Sequence, residues 1–188
     1  MIWIKRAVFL DRDGVVNEEI SFLHKAEDLR LIPRAAEAIA LLNKQDLDVI
    51  LVTNQPAIAK GLCTEDDLAG IHLRLSEMLA EKGAHIDAIY YCPHHPKEGS
   101  DEYRMVCECR KPEPGMLLKA QRERDIDLKS SFMVGDKISD IKAGKLAGCF
   151  TVGVKTGYGC NDGFTDAVPD IMADDLYQAV DIILRRMK

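Results

Sequence analysis

The sequence predicts an α/β fold, a three-layer, doubly wound parallel sheet with helices on both faces. Three observations predict it. Short continuous apolar runs recur along the 188 residues, as buried strands require. Segments with apolar residues at helical spacing separate them. Polar clusters rich in Asp, Thr, Asn and Lys stand directly after the apolar runs, where open parallel sheets gather ligand-binding residues.

The elements follow in order. Ala7-Val8-Phe9-Leu10 reads as the first buried strand, and Pro33 opens a helix carrying Ala35, Ala38, Ile39 and Leu42 on one face. Val49-Ile50-Leu51-Val52 is a second strand. Thr64 caps the next helix, with Glu65, Asp66 and Asp67 in its first turn and Leu68, Ile71, Leu75, Met78 and Leu79 at helical spacing. Ala88-Ile89-Tyr90-Tyr91 is a third strand, Gly115 to Arg124 a helix, and Phe132-Met133-Val134 a fourth strand. Ser139 or Asp140 starts another helix, Thr151 to Val154 is a fifth strand, and a last helix runs from Asp174 or Asp175 to about Met187. No repeat or low-complexity tract interrupts the pattern, so residues 1–188 are expected to form one domain.

Composition narrows the function. A net charge of -6 disfavours a nucleic-acid binder, which needs a basic surface. No apolar run reaches the roughly 20 residues that span a bilayer. The start, Met1-Ile2-Trp3-Ile4-Lys5-Arg6, is too short for a signal peptide and leads into the first strand. A cytoplasmic monomer acting on a small molecule is the expectation, with no nucleic-acid or membrane partner. In a reducing compartment, the six cysteines need a reason other than disulfides.

The first strand ends in Asp11-Arg12-Asp13-Gly14, the second in Thr53-Asn54-Gln55, and the fourth in Gly135-Asp136-Lys137 with Asp140 behind it. Asp11 and Asp13 are two residues apart and point to one side of an extended strand. Close carboxylates repel unless a cation lies between them. With Asp136 as a third oxygen donor, the set suits Mg2+, which also draws in phosphate. The Thr53 hydroxyl would donate to a phosphoryl oxygen. Arg110 and Lys111 stand just before a helix start, where cations are unfavourable, and an anion shared with the helix end would relieve the conflict. Asp140 is either a helix-start residue or part of the site.

Cys92-x-His94 and Cys107-x-Cys109 form a second constellation. Three thiolates and one imidazole match a closed, tetrahedral structural Zn2+ site, with His95 as the neighbouring alternative to His94. Residues 92–109 would then be a zinc-stabilised loop. The polar stretch inside it cannot order itself with a core, and its second ligand pair leads directly into Arg110 and Lys111. Zinc would thus position the two cations. Cys149 reads as core packing, and His24, His72 and His85 as surface or helix packing.

These motifs resemble the haloacid dehalogenase superfamily of phosphatases along nearly the whole chain: Asp11-Arg12-Asp13-Gly14, Thr53, Lys111, and Gly135-Asp136 with Asp140. The resemblance implies a Rossmann-like fold, here without a separate cap domain. A closer resemblance is to heptose bisphosphate phosphatases, carried by Val52-Thr53-Asn54-Gln55, Tyr90 to Pro96, Cys107 to Pro112 and Met133 to Lys137; histidinol-phosphate phosphatases share much of it. The resemblance implies that Asp11 is the nucleophile and Asp13 the acid and then the base. Mg2+ would be held by Asp11, the Asp13 main-chain oxygen and Asp136. Thr53 and Lys111 would stabilise the transferring group. Asn54, Arg110, Glu19, Phe22 and Lys137 would face the sugar phosphate. The chain departs from the family at Val15, often Thr; at Pro56, usually Ser, where no N–H is available; and at Glu19-Ile20-Ser21-Phe22, usually Asp-His-Gly-Tyr. The alternatives are histidinol-phosphate phosphatase and a non-catalytic zinc-stabilised binding module.

Overall fold

The computed structural model describes residues 5–188; Met1 to Ile4, and the sequence expectation resting on them, lie outside the described residues. The first strand, β1 (Arg6–Leu10), buries Ala7, Val8, Phe9 and Leu10 completely. A strand covered on both faces needs no polar alternation, which is why this run is uniformly apolar. It lies at the middle of a parallel sheet with β2 (Leu47–Asn54), β3 (Ala88–Cys92), β4 (Phe132–Gly135), β5 (Phe150–Val154) and β6 (Ile171–Ala173). The strand order is β3-β2-β1-β4-β5-β6. The chain therefore leaves β1 toward one edge, returns, and leaves toward the other, so the crevice at the carboxyl end of β1 is the topological switch point.

Helices α1 (Ala35–Asn43), α3 (Glu65–Ala80) and α6 (Leu176–Arg186) cover one face, while α4 (Gly115–Arg124) and α5 (Ile138–Ala147) cover the other. Alternate strand residues feed the two cores. Val8, Leu10, Val49, Leu51 and Val134 meet Ile39, Ile71 and Ile183 on the first face; Phe9, Ile50, Val52 and Met133 meet Leu117 and Ala143 on the second. Each fully buried large side chain contributes about 1.5–3 kcal/mol relative to exposure. Among the described residues no additional domain interrupts the segments after β1 or β3.

Local chemistry sets the helix ends. Thr64 and Asp67 close a reciprocal capping box at α3, as the sequence indicates. Most strand ends move by at most a single residue, and three boundary differences have a physical reason. Helix α1 starts at Ala35 because Arg34 takes a left-handed conformation, φ 65°, which ends the Pro33 segment before the helix. Helix α5 starts at Ile138: Asp140 lies inside its first turn, and its carboxylate reaches back to the Lys137 N–H at 3.0 Å. Strand β2 extends from Leu47 to Asn54, because β1 and β3 supply pairing on both sides. The short helix α2 (Pro56–Ala59) and the edge strand β6 were absent from the sequence reading. Strand β6 is three residues long, and the Asp170 carboxylate secures its start by accepting from the Thr151 N–H and hydroxyl at 2.8 and 2.7 Å.

Candidate active site

The pairing register carries the polar motifs to one edge. Leu10 lies opposite Leu51 and Val134, so the residues that follow each strand emerge together. The Asp11 N–H donates to the Val134 carbonyl at 3.0 Å, extending the ladder by one residue. Carboxylate oxygens of Asp11, Asp136 and Asp140 lie within 4.8 Å of one another, and all three residues are buried.

Lys111 joins this cluster. Its ammonium meets Asp11 Oδ1 at 2.8 Å and Asp140 Oδ1 at 2.7 Å, and donates to the Val52 carbonyl at 2.7 Å. Burial alone would lower its pKa, but the two carboxylates outweigh burial and raise it. The conflict expected at the helix end is therefore resolved differently. Lys111 turns away from the start of α4 to neutralise Asp11 and Asp140, and the Gly115 N–H is satisfied by the Glu108 carbonyl at 2.9 Å. Asp140, left open by sequence, is a member of this buried ion cluster.

Asp11 Oδ1 accepts from both Lys111 and its neighbour's N–H, Arg12, at 2.8 Å, which leaves Oδ2 to attack or to ligate. Burial, followed by repulsion from Asp140, pushes Asp11 up to about 6. Burial and repulsion from Asp11 and Asp140 push Asp136 up to about 8. Asp136 Oδ2 accepts from the Tyr158 N–H at 2.8 Å, whereas its buried Oδ1 has no hydrogen-bond partner. Three crowded carboxylates, one with an orphaned oxygen, are a donor set that fits a hard divalent cation.

Asp13 stands apart from that cluster. Its side chain is bound by Arg12 at 2.9 Å, Asn17 at 2.8 Å and Gln55 at 2.9 Å. Burial would raise its pKa, but Arg12, Asn17 and Gln55 together hold it below the ordinary carboxylate range. Its carboxylate is thus not among the oxygens gathered around Asp136. Arg12 is completely buried; its other nitrogen donates to His72 Nε2 at 3.3 Å, fixing that ring nitrogen as the unprotonated one.

The cleft has two adjoining lobes that share Asp13, Asn54, Pro56, Lys137 and Tyr158. One contains Glu19, Ile20, Phe22 and Ala57; the other contains Asp11, Arg110, Lys111, Asp140 and Phe164. The structure thus brings Glu19, Phe22, Arg110 and Lys137 to the cleft. Lys137 pairs with Glu19 at 2.9 Å and sits 4.4 Å from the Tyr158 ring centroid. Asn54 lines both lobes, and its amide donates to the Lys111 carbonyl at 2.9 Å and accepts from the Lys111 N–H at 3.0 Å. It clamps the main chain of Lys111 with both ends of its amide while standing at the wall of the cleft.

Behind Arg110, the donor atoms of Cys92, His94, Cys107 and Cys109 lie within 4.8 Å of one another. Cys109 Sγ is 3.1 Å from Cys92 Sγ, 3.3 Å from Cys107 Sγ and 3.5 Å from His94 Nδ1. Those separations suit the edges of a tetrahedral thiolate and imidazole site. His95 is occupied elsewhere, its Nδ1 accepting from the Glu98 N–H at 2.8 Å. Arg110 donates to the His94 carbonyl at 2.9 Å, linking this cluster to the cleft.

Sequence reasoning missed Arg12, Asn17 and Gln55 as the frame around Asp13, and it missed the segment after β5. There Thr156 donates to the Gly14 carbonyl at 2.7 Å and Tyr158 holds Asp136. A side chain at Gly157, φ 60°, would run into Asp136 and the Gly14 backbone. The Thr156-Gly157-Tyr158-Gly159 run after a strand was the available signal.

A family profile described as HAD-hydrolase-like matches residues 108–179. The chain is 45% identical over 152 residues to the D-glycero-beta-D-manno-heptose-1,7-bisphosphate 7-phosphatase of Photorhabdus laumondii, covering 80% of this chain and 81% of that one. It is 40% identical over 189 residues to the same-named protein of Haemophilus influenzae, covering 98% and 100%. It is similar in structure, with a TM-score of 0.84 and 35% identity, to the D,D-heptose 1,7-bisphosphate phosphatase of B. bronchiseptica complexed with magnesium and phosphate, covering 96% and 99%. Identity at this level over most of both chains places the polar strand ends and the buried carboxylate cluster in a common framework, and the chain belongs to the HAD-like hydrolases, in the family of the heptose-1,7-bisphosphate 7-phosphatases.

Proposed function

We propose that this chain hydrolyses the 7-phosphate of D-glycero-β-D-manno-heptose 1,7-bisphosphate through a phosphorylated Asp11, in the synthesis of activated heptose for a surface glycan. The observation that carries the reading is the buried Asp11 carboxylate, flanked by Lys111 and by the crowded Asp136 and Asp140. A cytoplasmic monomer without nucleic-acid or membrane partners completes the proposal; no helix among the described residues is long and apolar enough to cross a membrane.

Asp11 Oδ2 attacks phosphorus in line, and the bond from phosphorus to the sugar oxygen breaks. Asp13 delivers a proton to that oxygen, then takes one from the water that cleaves the aspartyl-phosphate and returns Asp11 and inorganic phosphate. The three donors around Asp13 favour its ionised form, which suits the second step; an incoming phosphoryl dianion opposes that bias and favours the protonated form for the first. The Thr53 hydroxyl donates to a phosphoryl oxygen. Lys111 keeps Asp11 ionised and oriented, while Arg110 and Lys137, with Glu19 and Phe22, receive the rest of the substrate. Mg2+ would be held by Asp11, the Asp13 main-chain oxygen and Asp136, and would supply charge neutralisation for the phosphoryl group. Zn2+ would be held by Cys92, His94, Cys107 and Cys109 in a structural role within a 92–109 loop of the single domain.

The test is phosphate release from both anomers of the heptose bisphosphate and from histidinol phosphate, with Mg2+ supplied, using wild type and D11N. The β-anomer bisphosphate is expected to be the preferred substrate, and D11N to fold without turnover. Preference for histidinol phosphate, or turnover by D11N, would overturn the proposal.

A further inference from the structure

Gln55 follows the last residue of β2 and is only 4% exposed. Its main-chain N–H donates to the Cys92 carbonyl at 2.8 Å, which fixes its backbone at the sheet edge. Its side chain meets three groups of the site. Oε1 accepts from Arg12 at 3.2 Å, while Nε2 donates to Asp13 Oδ2 at 2.9 Å and to Thr53 Oγ1 at 2.8 Å. The amide's orientation follows from its partners: a guanidinium only donates, and a carboxylate only accepts. The NH2 end must therefore face Asp13, and its second N–H is the one that reaches Thr53.

This arrangement has a consequence for Thr53. A hydroxyl can donate or accept, and the partner that donates to it decides which way its own proton points. Here Thr53 receives a proton from Gln55, and Asp13 is already supplied by Gln55, Arg12 and Asn17. With its oxygen accepting from Gln55, the single proton of the buried Thr53 hydroxyl is left for another acceptor. We infer that Gln55 is a positioning residue that sets hydrogen-bond polarity in the site, keeping Thr53 a donor toward the phosphoryl group while holding the Asp13 carboxylate in place. The inference rests on the phosphatase reading above.

Glutamate and methionine at this position separate polarity from shape. Glu has nearly the shape of Gln but reverses the polarity, so Thr53 would donate into it and away from the phosphoryl group. Met keeps the volume and removes the hydrogen bonds. Both variants, with T53V and the T53V/Q55M double variant, are checked for folding by thermal unfolding. They are then assayed with Mg2+ on β-heptose bisphosphate and on p-nitrophenyl phosphate, whose leaving group departs without a proton.

Q55M is expected to lower kcat about 100-fold on the sugar substrate, in line with loss of one oriented donor, with KM little changed. Q55E is expected to fall about tenfold further, the opposite of what a merely space-filling role gives. In the first-turnover burst of p-nitrophenolate from the aryl ester, which needs no proton from Asp13 and precedes its step as base, only the Thr53 branch remains, so T53V and the double variant should agree within about twofold. A folded Q55E as active as Q55M, or additive losses in the double variant on the aryl ester, overturns the inference. The two readings fail separately. Wild type inert on heptose bisphosphate, with the variant order intact on the aryl ester, sinks the substrate assignment and keeps the role of Gln55. Brisk sugar turnover with the order reversed does the converse.

Discussion

Lys111 engages Asp11, Asp140 and the Val52 carbonyl at once, so its three N–H groups are directed into the protein. Its charge therefore reaches a substrate through the orientation of Asp11. Lys111→Met keeps the aliphatic stem and leaves two buried carboxylates facing each other. Removing one partner of a buried ion cluster costs about 3–5 kcal/mol, because the remaining charge is uncompensated. Urea unfolding at pH 8 should show a loss of that size, together with a fall in kcat of about 1000-fold, the upper range for loss of one electrostatic contact to the transition state. An unchanged unfolding midpoint would mean that the cluster is less desolvated than its burial indicates. Gly157 is the second single-residue test. Its left-handed backbone brings it against Asp136 and Gly14, and an added Cβ would be 2.7 Å from the Gly14 Cα. Gly157→Ala should weaken the thermal stabilisation that added Mg2+ gives, since Asp136 must move to admit the methyl group. Full retention of that stabilisation would show that the segment after β5 does not position Asp136.

Among the elements, the 92–109 loop shows how a cysteine and histidine cluster can organise a cleft from behind. Arg110 is tied to the His94 carbonyl, and Gln55 to the Cys92 carbonyl. Lys60 pairs with Glu98 and lies 5.0 Å from the Phe22 ring centroid, so the loop also touches the Glu19–Phe22 wall through one lysine. On the proposal that Cys92, His94, Cys107 and Cys109 hold zinc, a chelator should expose the 97–106 stretch to limited proteolysis and raise KM more than it lowers kcat, because Arg110 loses its anchor while Asp11 and Lys111 keep theirs. An unaltered cleavage pattern after proven zinc loss would break the link. The gathering of these four side chains was legible, because Cys92, His94, Cys107 and Cys109 are paired in sequence and lead into Arg110. The long apolar strands and the Thr64 cap were legible for the same reason: their physics is local. The frame around Asp13 was not. Arg12 and Asn17 come from the loop after β1, Gln55 from the end of β2 and His72 from α3, and only the folded sheet edge shows that they share one carboxylate or guanidinium. Strand β6 escaped because three residues carry no period, and its pairing is supplied by β5. Arg34 was unreadable as a helix boundary, since nothing in its type calls for positive φ.

At the scale of the whole molecule, the doubly wound sheet gathers charge at one edge and seals it with apolar layers on both faces, so stability and site chemistry become coupled through protonation. His72 on α3 is the cleanest reporter of that coupling. It is 9% exposed, and burial, followed by the nearby Arg12 charge, pushes its pKa down to about 4 from the ordinary 6.5. The unfolded chain therefore binds a proton that the folded chain refuses. Stability from this group is fully present above pH 6.5 and is lost as pH falls from 6.5 toward 4, by about 3 kcal/mol when the shift is converted at 1.36 kcal/mol per unit. Asp11 and Asp136 act with the opposite sign in metal-free protein. Their folded values, about 6 and about 8, exceed the ordinary 3.8, so their ionisation weakens the fold as pH rises through those values. His72→Gln preserves an acceptor for Arg12 but cannot be protonated. Urea unfolding of wild type and this variant without added magnesium, from pH 4.5 to 8, isolates the histidine, because the carboxylate contribution is common to both. The gap between the two curves should be constant above pH 7 and shift steadily in favour of the variant toward pH 4.5. Parallel curves across the whole range would show that the Arg12–His72 contact opens in acid before the ring is forced to stay neutral, and that the frame behind Asp13 is softer than its burial implies.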